Sequence, residues 1–347
     1  MAKIEVGILG ATGMVGQQFV RLLESHPQFR LTWLAASERS SGKALARATE
    51  WRLDGRIPAY AAELPVSEPR PSGAPQLVFS AMDASVAGEI EREFAQAGHI
   101  VVSNSRNHRM DADVPLLIPE VNAEHLGLIP VQQRNRNWRG LIVTNPNCST
   151  VVLTMALAPL VPFGIRSVVA TTMQAVSGAG YPGNASFDVL GNVVPFISGE
   201  EDKMEHETQK ILGRFSHDSV VPLNAAVSAH CNRVAVLDGH TVTTSVAFSR
   251  KADLADIAHA METFQSPPET MNLPTAPKRP LILMHEPDRP QPRRDAAREN
   301  GMPVFVGRVR RCGVLDVKFV ACGHNTIRGA AGAAILNAEL LVSQGHL

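Results

Sequence analysis

Cys148 is the side chain in this sequence that is best placed for covalent chemistry. It follows the turn-forming residues Asn145-Pro146-Asn147 and precedes a charge-free apolar segment, residues 151–160, which predicts a buried helix capped by Asn147. Free N–H groups at the start of a helix favour an anion, so we expect the Cys148 thiol to ionise more easily than a free cysteine and to act as a nucleophile. The alternative is a small buried apolar residue, the commoner role of a single cysteine.

A histidine and an arginine further along the chain are candidates for a role beside this thiol. Arg233 and His240 flank an apolar run that predicts a strand with a turn at Asp238-Gly239. The intrinsic pKa of imidazole lies near neutrality, so His240 could take the thiol proton, although any one of twelve histidines is more often structural. A buried arginine needs a partner for its charge, which makes a functional role for Arg233 the stronger hypothesis.

A helix and a loop in the second half carry further candidate groups. Residues 199–213 predict a helix on which Glu200 and Lys203 share a face. Such a pair is usually a surface ion pair that contributes little, and it matters only where that face lines a site. Residues 174–183 are mostly small, so their backbone can approach a ligand closely, although a structural turn has the same composition.

The first strand of the chain runs into a glycine-rich turn. Residues 4–10 predict a strand, residues 17–24 predict a helix, and glycines at positions 10, 13 and 16 mark the turn. Such a unit binds the pyrophosphate of a dinucleotide, because glycines allow a tight turn and a close approach of the backbone. The spacing is G-x-x-G-x-x-G rather than G-x-G-x-x-G, and a glycine-rich turn without a ligand is the alternative.

The end of the second predicted strand, residues 31–36, indicates which dinucleotide is bound. An acidic residue there holds a ribose 2′-hydroxyl, whereas a basic residue can accept a 2′-phosphate. Arg39 lies among serines, with Ser37 before it and Ser40 after it, and this combination suits a phosphate. We therefore expect NADP rather than NAD, although the neighbouring Glu38 favours NAD.

Strands and helices alternate through the first half of the sequence. Residues 76–82 and 99–103 predict inner strands with an amphipathic helix between them. This alternation is typical of an α/β fold of the Rossmann type, a doubly wound parallel sheet. Ligands bind beyond the carboxyl ends of such strands, where Ser80, Arg106 and Arg109 are expected, and the two arginines are candidates for binding an anion.

The second half predicts a different kind of sheet. Residues 304–310 and 315–320 alternate as antiparallel strands, so we expect an α+β domain with a mixed, largely antiparallel sheet. The proline- and charge-rich residues 266–300 predict an irregular, exposed excursion that can reach a partner subunit. An Ala-rich helix near the end has small residues that allow it to pack back on the first domain. We therefore divide the chain into residues 1–147, completed by 325–347, and residues 148–324.

Length and composition limit the classes of protein to which this chain can belong. A chain of 347 residues suggests about two domains, and 44% hydrophobic with 19% charged residues is typical of a globular protein. The formal net charge is zero, which predicts no binding to nucleic acid or to an anionic membrane. No signal peptide and no apolar run long enough to span a bilayer is recognisable. The four widely spaced cysteines include no C-x-x-C pair, so we expect free thiols, no metal site and a cytoplasmic location.

Taken together, the motifs resemble the aspartate-β-semialdehyde dehydrogenase family, in particular its archaeal and fungal branch, over essentially the whole chain. They are Gly10-Ala-Thr-Gly-Met-Val-Gly16, Pro119-Glu-Val-Asn122, Asn145-Pro-Asn-Cys-Ser149, Gln174-Ala-Val-Ser-Gly-Ala-Gly-Tyr-Pro-Gly183, Glu200-Glu-Asp-Lys203, Arg233-Val234, Asp238-Gly-His240 and Asn325 with Arg328-Gly-Ala-Ala-Gly332. The resemblance implies a reversible, NADPH-linked reduction of aspartyl-4-phosphate to aspartate-4-semialdehyde with release of phosphate, a step toward lysine, threonine and methionine. It also implies that the second domain is the catalytic and dimerisation domain of a homodimer or homotetramer.

The resemblance also implies a role for individual residues. The expected nucleophile, acid–base group and residue orienting the acyl-enzyme are Cys148, His240 and Gln174. The expected contacts to the substrate α-carboxylate, α-amine and phosphate are Arg233, Glu200 and the pair Arg109 and Lys203, with Arg106 as the alternative to Arg109. The expected NADP contacts are Gly10, Thr12, Gly13, Met14, Val15, Ser37, Arg39, Ser40, Ser80, Ser177, Gly178 and Asn325.

Other activities fit the same residues. Malonyl-CoA reductase and N-acetyl-glutamyl-phosphate reductase apply the same thioester chemistry to other acyl donors, and Glu200, as an α-amine partner, favours aspartyl phosphate. A catalytically silent dinucleotide-binding paralogue or regulatory subunit is a different alternative. The presence of Cys148 argues against it.

Overall fold

Six parallel strands form the sheet of the first half. The computed structural model describes residues 2–347. The strands are β1 (Ile4–Leu9), β2 (Phe29–Ala35), β3 (Val66–Ser67), β4 (Leu77–Ser80), β5 (Ile100–Ser103) and β6 (Leu141–Thr144). They pair in the order β3-β2-β1-β4-β5-β6, all parallel, which is the order of a doubly wound dinucleotide-binding sheet and confirms the predicted fold.

The turn after β1 is tighter than the sequence predicts. The first helix begins at Met14 rather than at residue 17, because Gly13 already occupies the N-cap position. A β-carbon at Gly16 would lie 2.2 Å from the carbonyl oxygen of Gly10, so only glycine lets the helix pack this closely on the turn. The helices of this half are α1 (Met14–Leu23), α2 (Leu45–Ala48), α3 (Ala59–Ala62), α4 (Ala84–Gln96), α5 (Pro119–Asn122) and α6 (Leu128–Arg136).

A mixed sheet of seven strands forms the second half. The strands after β6 are β7 (Ile165–Gln174), β8 (Val193–Val194), β9 (Arg214–Ser216), β10 (Ser219–Val221), β11 (Ala226–Val234), β12 (His240–Phe248), β13 (Leu281–Met284), β14 (Val304–Arg311) and β15 (Val317–Gly323). All but the hairpin β9–β10 join the sheet, in the order β13-β14-β15-β12-β7-β11-β8. The pairs β7–β11 and β13–β14 are parallel and the other pairs antiparallel, which confirms the predicted mixed, largely antiparallel sheet.

Two predictions about this half were wrong. The apolar run before His240 is not a strand, because β11 ends at Val234, β12 begins at His240 and residues 235–239 form the connection. Residues 266–300 are not a simple exposed excursion, since β13 pairs with β14 in the sheet and Asp295 is fully buried beside Arg289. The prolines interrupt this segment without preventing its apolar residues from joining the core.

The remaining helices follow β6 in the chain. They are α7 (Cys148–Leu157), α8 (Ser186–Val189), α9 (Glu200–Ile211), α10 (Leu254–Glu262), α11 (Pro268–Met271), α12 (Pro292–Asp295) and α13 (Gly332–Ser343). The apolar residues of α7 pack in the core of the mixed sheet. A π-helical turn, Ile327–Ala331, leads into α13, and both pack in the core of the parallel sheet.

Within residues 2–347, no helix is both long and apolar enough to cross a membrane. This same part of the chain contains no group of three or more His, Cys, Asp or Glu side chains arranged to hold a metal ion. The four cysteines are free thiols.

Candidate active site

The carboxyl ends of the parallel strands open into a cleft of about 700 Å³. The register aligns the last residues of β4, β5 and β6, so the loops that follow these strands leave the sheet side by side. The cleft is lined by the turn after β1, the loops after β4 and β5, the start of α7, the glycine-rich loop after β7 and the start of the C-terminal helical segment. Cys148 is one of the lining residues.

Asn147 begins α7 and holds Cys148 in its first turn. Its Oδ1 accepts hydrogen bonds from the backbone N–H groups of Ser149 at 3.0 Å and Thr150 at 3.2 Å, the geometry of a helix N-cap. The Sγ of Cys148 lies 3.1 Å from Nε2 of His240, the first residue of β12. The fold thus brings together a thiol and an imidazole that are 92 positions apart in the sequence.

The hydrogen bonds of His240 decide which ring nitrogen carries its proton. The backbone N–H of Ala175 donates to Nδ1 at 3.0 Å, so Nδ1 is an acceptor. A neutral imidazole has one donor and one acceptor, and the proton is therefore on Nε2, facing Cys148. Burial, and after it the charge of Arg233, lowers the pKa of His240 to about 3, which keeps the ring neutral. In this state His240 donates toward the sulfur.

Burial also reverses the acidity expected for Cys148. The thiol pKa is raised to about 12, first by burial and then by the carboxylate of Glu200. Arg109, Arg233 and Lys203 act in the opposite direction, as does the N-terminus of α7. The prediction that this thiol ionises more easily than a free cysteine is therefore wrong for this arrangement, because the loss of hydration outweighs the nearby cations.

Glu200, at the start of α9, is the anionic centre of the site. It accepts hydrogen bonds from Lys203 Nζ at 2.7 Å, from Asn147 Nδ2 at 2.8 Å and from Gln174 Nε2 at 3.3 Å. Burial by itself raises the pKa of this carboxyl, but Lys203 and the two amides hold the pKa below its ordinary range. Glu200 is therefore ionised, and its ion pair with Lys203 faces the site rather than the solvent.

Arg233 is buried against the glycine-rich loop that follows β7. Its Nη1 donates to the carbonyl oxygen of Ala175 at 2.7 Å. Gly178 lies directly against this guanidinium and the imidazole, since a β-carbon at position 178 would lie 2.9 Å from Nη1 of Arg233 and 3.0 Å from Cε1 of His240. Any side chain at position 178 would displace both groups.

The structure distinguishes the two candidate phosphate-binding arginines, which both line the cleft. Arg109 is only 7% exposed, and its guanidinium donates to Glu207 Oε1 at 2.9 Å and to the carbonyl oxygen of Asn104 at 2.7 Å. Arg106 is exposed. A guanidinium that is already held in place loses less freedom when it binds an anion, so Arg109 is the better candidate.

The turn after β1 brings bare backbone to the edge of the cleft. Gly10 has a φ of +81°, and a β-carbon there would lie 2.6 Å from the carbonyl oxygen of Ala81. Because this crowding excludes a side chain at position 10, the backbone of the turn is bare. A pyrophosphate can therefore approach it closely. The predicted cofactor residues of this turn that line the cleft are Thr12, Gly13, Met14 and Val15.

Asn325 joins two loops on the opposite side of the cleft. Its Nδ2 donates to Ser177 Oγ at 2.7 Å, and its Oδ1 accepts from the backbone N–H of Gly239 at 2.8 Å. Ser177, Gly178 and Asn325 all line the cleft. Ser80 is fully buried at the end of β4 and is not part of the lining.

The residues predicted to select NADP lie apart from Cys148. They follow the end of β2, where Ser37, Glu38 and Arg39 are exposed and Ser40 is buried. They are outside the lining of the cleft that contains the thiol. This separation suits a dinucleotide, because the ribose that carries a 2′-phosphate binds at the end of the second strand of such sheets, away from the nicotinamide.

Two charged residues of α9 that were not predicted from the sequence also contact this region. Glu207 contacts Arg109, and Lys210 donates through Nζ to three backbone carbonyl oxygens within residues 109–114, at 2.7 to 2.9 Å. With Glu200 and Lys203 they follow a spacing of i, i+3, i+7 and i+10, which places all four on one helical face. That spacing was the available signal. A charged face is normally solvated, whereas this one is largely buried.

Family models match most of the chain. The model described as semialdehyde dehydrogenase, NAD binding domain, matches residues 5–129. The model described as semialdehyde dehydrogenase, dimerisation domain, matches residues 157–328.

Similar proteins and structures extend this match to nearly the full length. The aspartate-semialdehyde dehydrogenase of Archaeoglobus fulgidus is 48% identical over 344 residues, covering 99% of each chain, and that of Schizosaccharomyces pombe is 45% identical over 357 residues, again covering 99% of each. A crystal structure of aspartate semialdehyde dehydrogenase with NADP from Candida albicans covers 100% of both chains, with a TM-score of 0.92 and 40% identity. Aspartate semialdehyde dehydrogenase II of Vibrio cholerae, complexed with ASA, covers 100% of both chains with a TM-score of 0.78 and 27% identity. The chain belongs to the aspartate-semialdehyde dehydrogenase family.

Proposed function

We propose that this protein catalyses the reversible, NADPH-dependent reduction of L-aspartyl-4-phosphate to L-aspartate-4-semialdehyde and phosphate, through a thioester on Cys148. The observation that carries the proposal is the position of Cys148 in the cleft, 3.1 Å from His240 Nε2 and close enough to four charged side chains for them to act on its pKa. Family membership supports the same chemistry, as do the NADP and ASA of the two similar crystal structures. The reaction is a step toward lysine, threonine and methionine.

Sulfur suits acyl transfer from a phosphate, because a thioester forms readily and accepts hydride. In the reducing direction the Sγ of Cys148 attacks the acyl carbon, the thiol proton leaves with the departing phosphate, and a thioester remains. We assign His240 as the acid–base group, and its Nε2–H faces the sulfur. It stabilises negative charge on the sulfur as the carbon–sulfur bond forms and breaks. NADPH, when bound, would supply the hydride that converts the thioester to the aldehyde. The thiolate that leaves in this step takes up one proton from solvent, which restores the Cys148 thiol.

The charges around Cys148 match the charges of the substrate. Arg233 binds the α-carboxylate, since a guanidinium suits a carboxylate, and Glu200 accepts the α-ammonium group. Arg109 and Lys203 bind the phosphate, for which two cations are suited. Gln174 donates to Glu200 at 3.3 Å, and we assign it the orientation of the acyl-enzyme beside that carboxylate.

NADP is the cofactor that the residues suit. The turn at Gly10 and the residues Thr12, Gly13, Met14 and Val15 hold the pyrophosphate, and Ser177, Gly178 and Asn325 hold the nicotinamide end beside Cys148. Arg39, with Ser37 and Ser40, accepts the 2′-phosphate, because a guanidinium can hold a phosphate through two parallel hydrogen bonds. Ser80 lies at the carboxyl end of β4, the edge of the sheet at which the dinucleotide binds.

The chain divides into a cofactor domain, residues 1–147 completed by 325–347, and a catalytic domain, residues 148–324, through which it forms a homodimer or homotetramer. Supporting this assembly, the matched second family model is described as a dimerisation domain. Residues 186–196 also expose a cluster of apolar side chains, Phe187, Leu190, Val193 and Phe196, of the kind that a second copy covers. The four free thiols suit the reducing cytoplasm.

The test is phosphate-dependent reduction of NADP with aspartate semialdehyde, compared with malonyl-CoA-dependent and N-acetylglutamate-semialdehyde-dependent activity. We expect turnover with aspartate semialdehyde far above the other two. Cys148→Ser should abolish turnover while NADPH still binds with unchanged affinity. Equal activity with another acyl donor would replace the proposed substrate, and retained turnover in Cys148→Ser would remove the nucleophile.

A further inference from the structure

We propose that Glu207 is a positioning residue that fixes the phosphate-binding guanidinium relative to the nucleophile, an inference that rests on the function proposed above. Glu207 lies on α9 and is 1% exposed. Its Oε1 accepts from Arg109 Nη1 at 2.9 Å, and its Oε2 accepts from the backbone N–H of Asn147 at 2.6 Å. One buried carboxylate therefore holds both the arginine and the residue that caps the nucleophile helix.

The two partners of Glu207 belong to different segments of the chain. Arg109 lies in the loop after β5, and Asn147 lies at the junction between β6 and α7. Each carboxylate oxygen has one of these partners, so the distance between them depends on the position of a single side chain. When the thiol adds to the acyl carbon and phosphate is then expelled, the phosphate must lie on the cations while the acyl carbon meets the sulfur, and this requires a fixed spacing between the two sites.

Another residue already performs the simpler task of anchoring the loop. Lys210, one turn along α9, donates through Nζ to the backbone carbonyl oxygens of Arg109, Asp111 and Val114 at 2.7 to 2.9 Å. The backbone of the loop is therefore held to α9 without Glu207. What Glu207 adds is a side-chain contact to the guanidinium itself. Together with the carbonyl oxygen of Asn104, this contact sets the direction of the remaining N–H donors of Arg109.

Positioning and charge predict opposite results when Glu207 is neutralised. A carboxylate beside Arg109 offsets part of its positive charge, so charge alone predicts tighter phosphate binding in Glu207→Gln. Positioning predicts weaker binding, because an amide places an NH₂ group against one of two partners that are both donors. The direction of the change in KM for phosphate therefore distinguishes the two roles.

The experiment measures steady-state kinetics in the direction that consumes phosphate. For Glu207→Gln we expect kcat/KM for phosphate to fall about 10- to 100-fold, with a raised KM for phosphate, while KM for aspartate semialdehyde and the affinity for NADP stay within about twofold. Glu207→Asp keeps the charge but cannot reach both partners, so it should change KM in the same direction. The matched control is Glu205→Gln, on the same helix, whose carboxylate accepts from the backbone N–H of Ala229 at 3.0 Å, away from the cleft, and which should behave as wild type.

A double-mutant cycle tests whether the effect passes through Arg109. In an Arg109→Ala background, adding Glu207→Gln should change KM for phosphate by less than about twofold, because the group that Glu207 positions is gone. An unchanged or lowered KM in Glu207→Gln, a wild-type KM in Glu207→Asp, or additive effects in the cycle would each overturn the inference. Absence of phosphate-dependent turnover in the wild-type protein would instead overturn the proposed function, and that measurement comes before any variant is compared.

Discussion

Without substrate, the nucleophilic thiol should react with iodoacetamide more slowly than an ordinary cysteine. With a pKa of about 12 for Cys148, against 9.0 for a free cysteine thiol, the thiolate fraction at pH 8 is roughly 10⁻⁴ rather than 10⁻¹, a ratio of about one thousand. A more basic thiolate is intrinsically more nucleophilic. With a Brønsted coefficient of about 0.4–0.5, this higher nucleophilicity raises the alkylation rate about 20-fold and so offsets part of the lower thiolate fraction. The net expectation is a rate about 50-fold below that of an unhindered peptide thiol.

The assay is alkylation across pH, followed by mass spectrometry of the cysteine peptides. Cys312 is the internal reference, because hydrogen bonds from the backbone at Leu315 and Val314 lower its thiol pKa and the residue is partly exposed. At pH 8 we expect Cys312 to be modified first, and the Cys148 rate should still be rising with pH above pH 10. Modification of Cys148 before Cys312, or a Cys148 rate that levels off below pH 9, would refute the reasoning.

Two charged residues near Cys148 shift the pKa of its thiol in opposite directions. Glu200 raises the pKa of Cys148 and Lys203 lowers it. Glu200→Gln should therefore speed the alkylation of Cys148 at pH 8, and Lys203→Met should slow it, with Cys312 unchanged in both. Changes in the same direction would mean that altered access, rather than charge, controls the rate.

Further predictions concern the imidazole, the glycine beside it and the choice of cofactor. His240→Asn should lower kcat by about 100-fold or more with smaller changes in KM, and an unchanged kcat in steady-state assays would exclude it as the acid–base group. In ¹⁵N-labelled protein, His240 should show a protonated Nε2 and an unprotonated Nδ1 at pH 7; the opposite tautomer would contradict the hydrogen bond from Ala175. Gly178→Ala should lower kcat/KM by about tenfold or more, because its β-carbon would lie 2.9 Å from Arg233 Nη1, while thermal unfolding changes little. Arg39→Ala should raise KM for NADP by about tenfold or more and leave KM for NAD unchanged, whereas equal changes for both cofactors would place the 2′-phosphate elsewhere.

Features that depend on neighbours in the sequence were predictable. The glycines after β1 predict a turn at which two backbone segments come close together. Asn147, which precedes Cys148, predicts a helix N-cap. Alternating strands and helices identified the parallel sheet, and the motifs identified the family. In each case the physical cause, a dihedral angle, a cap or a hydrophobic period, acts over a few residues, and so it can be recognised in the sequence.

Predictions went wrong where a residue's state depends on distant parts of the chain. The apolar run before His240 has strand-like composition, but the pairing of both flanking strands with β7 leaves it as a connection. Residues 281–284 form a strand by pairing in parallel with β14, which lies about twenty residues further along the chain. Sheet pairing is a non-local choice, and local composition does not determine it.

The sequence by itself determined that a thiol would stand at the start of a helix, in a protein with a dinucleotide site and a second, mixed sheet. The tertiary structure alone decided the proton positions at that thiol. The N–H of Ala175 assigns the His240 proton to Nε2, and the enclosure of Cys148 by groups from both halves raises its pKa instead of lowering it. The same applies to Glu207, whose partners lie 98 and 60 positions away. The pKa of a group depends on its loss of hydration and on all the charges and hydrogen bonds around it. These surroundings form only when the chain has folded.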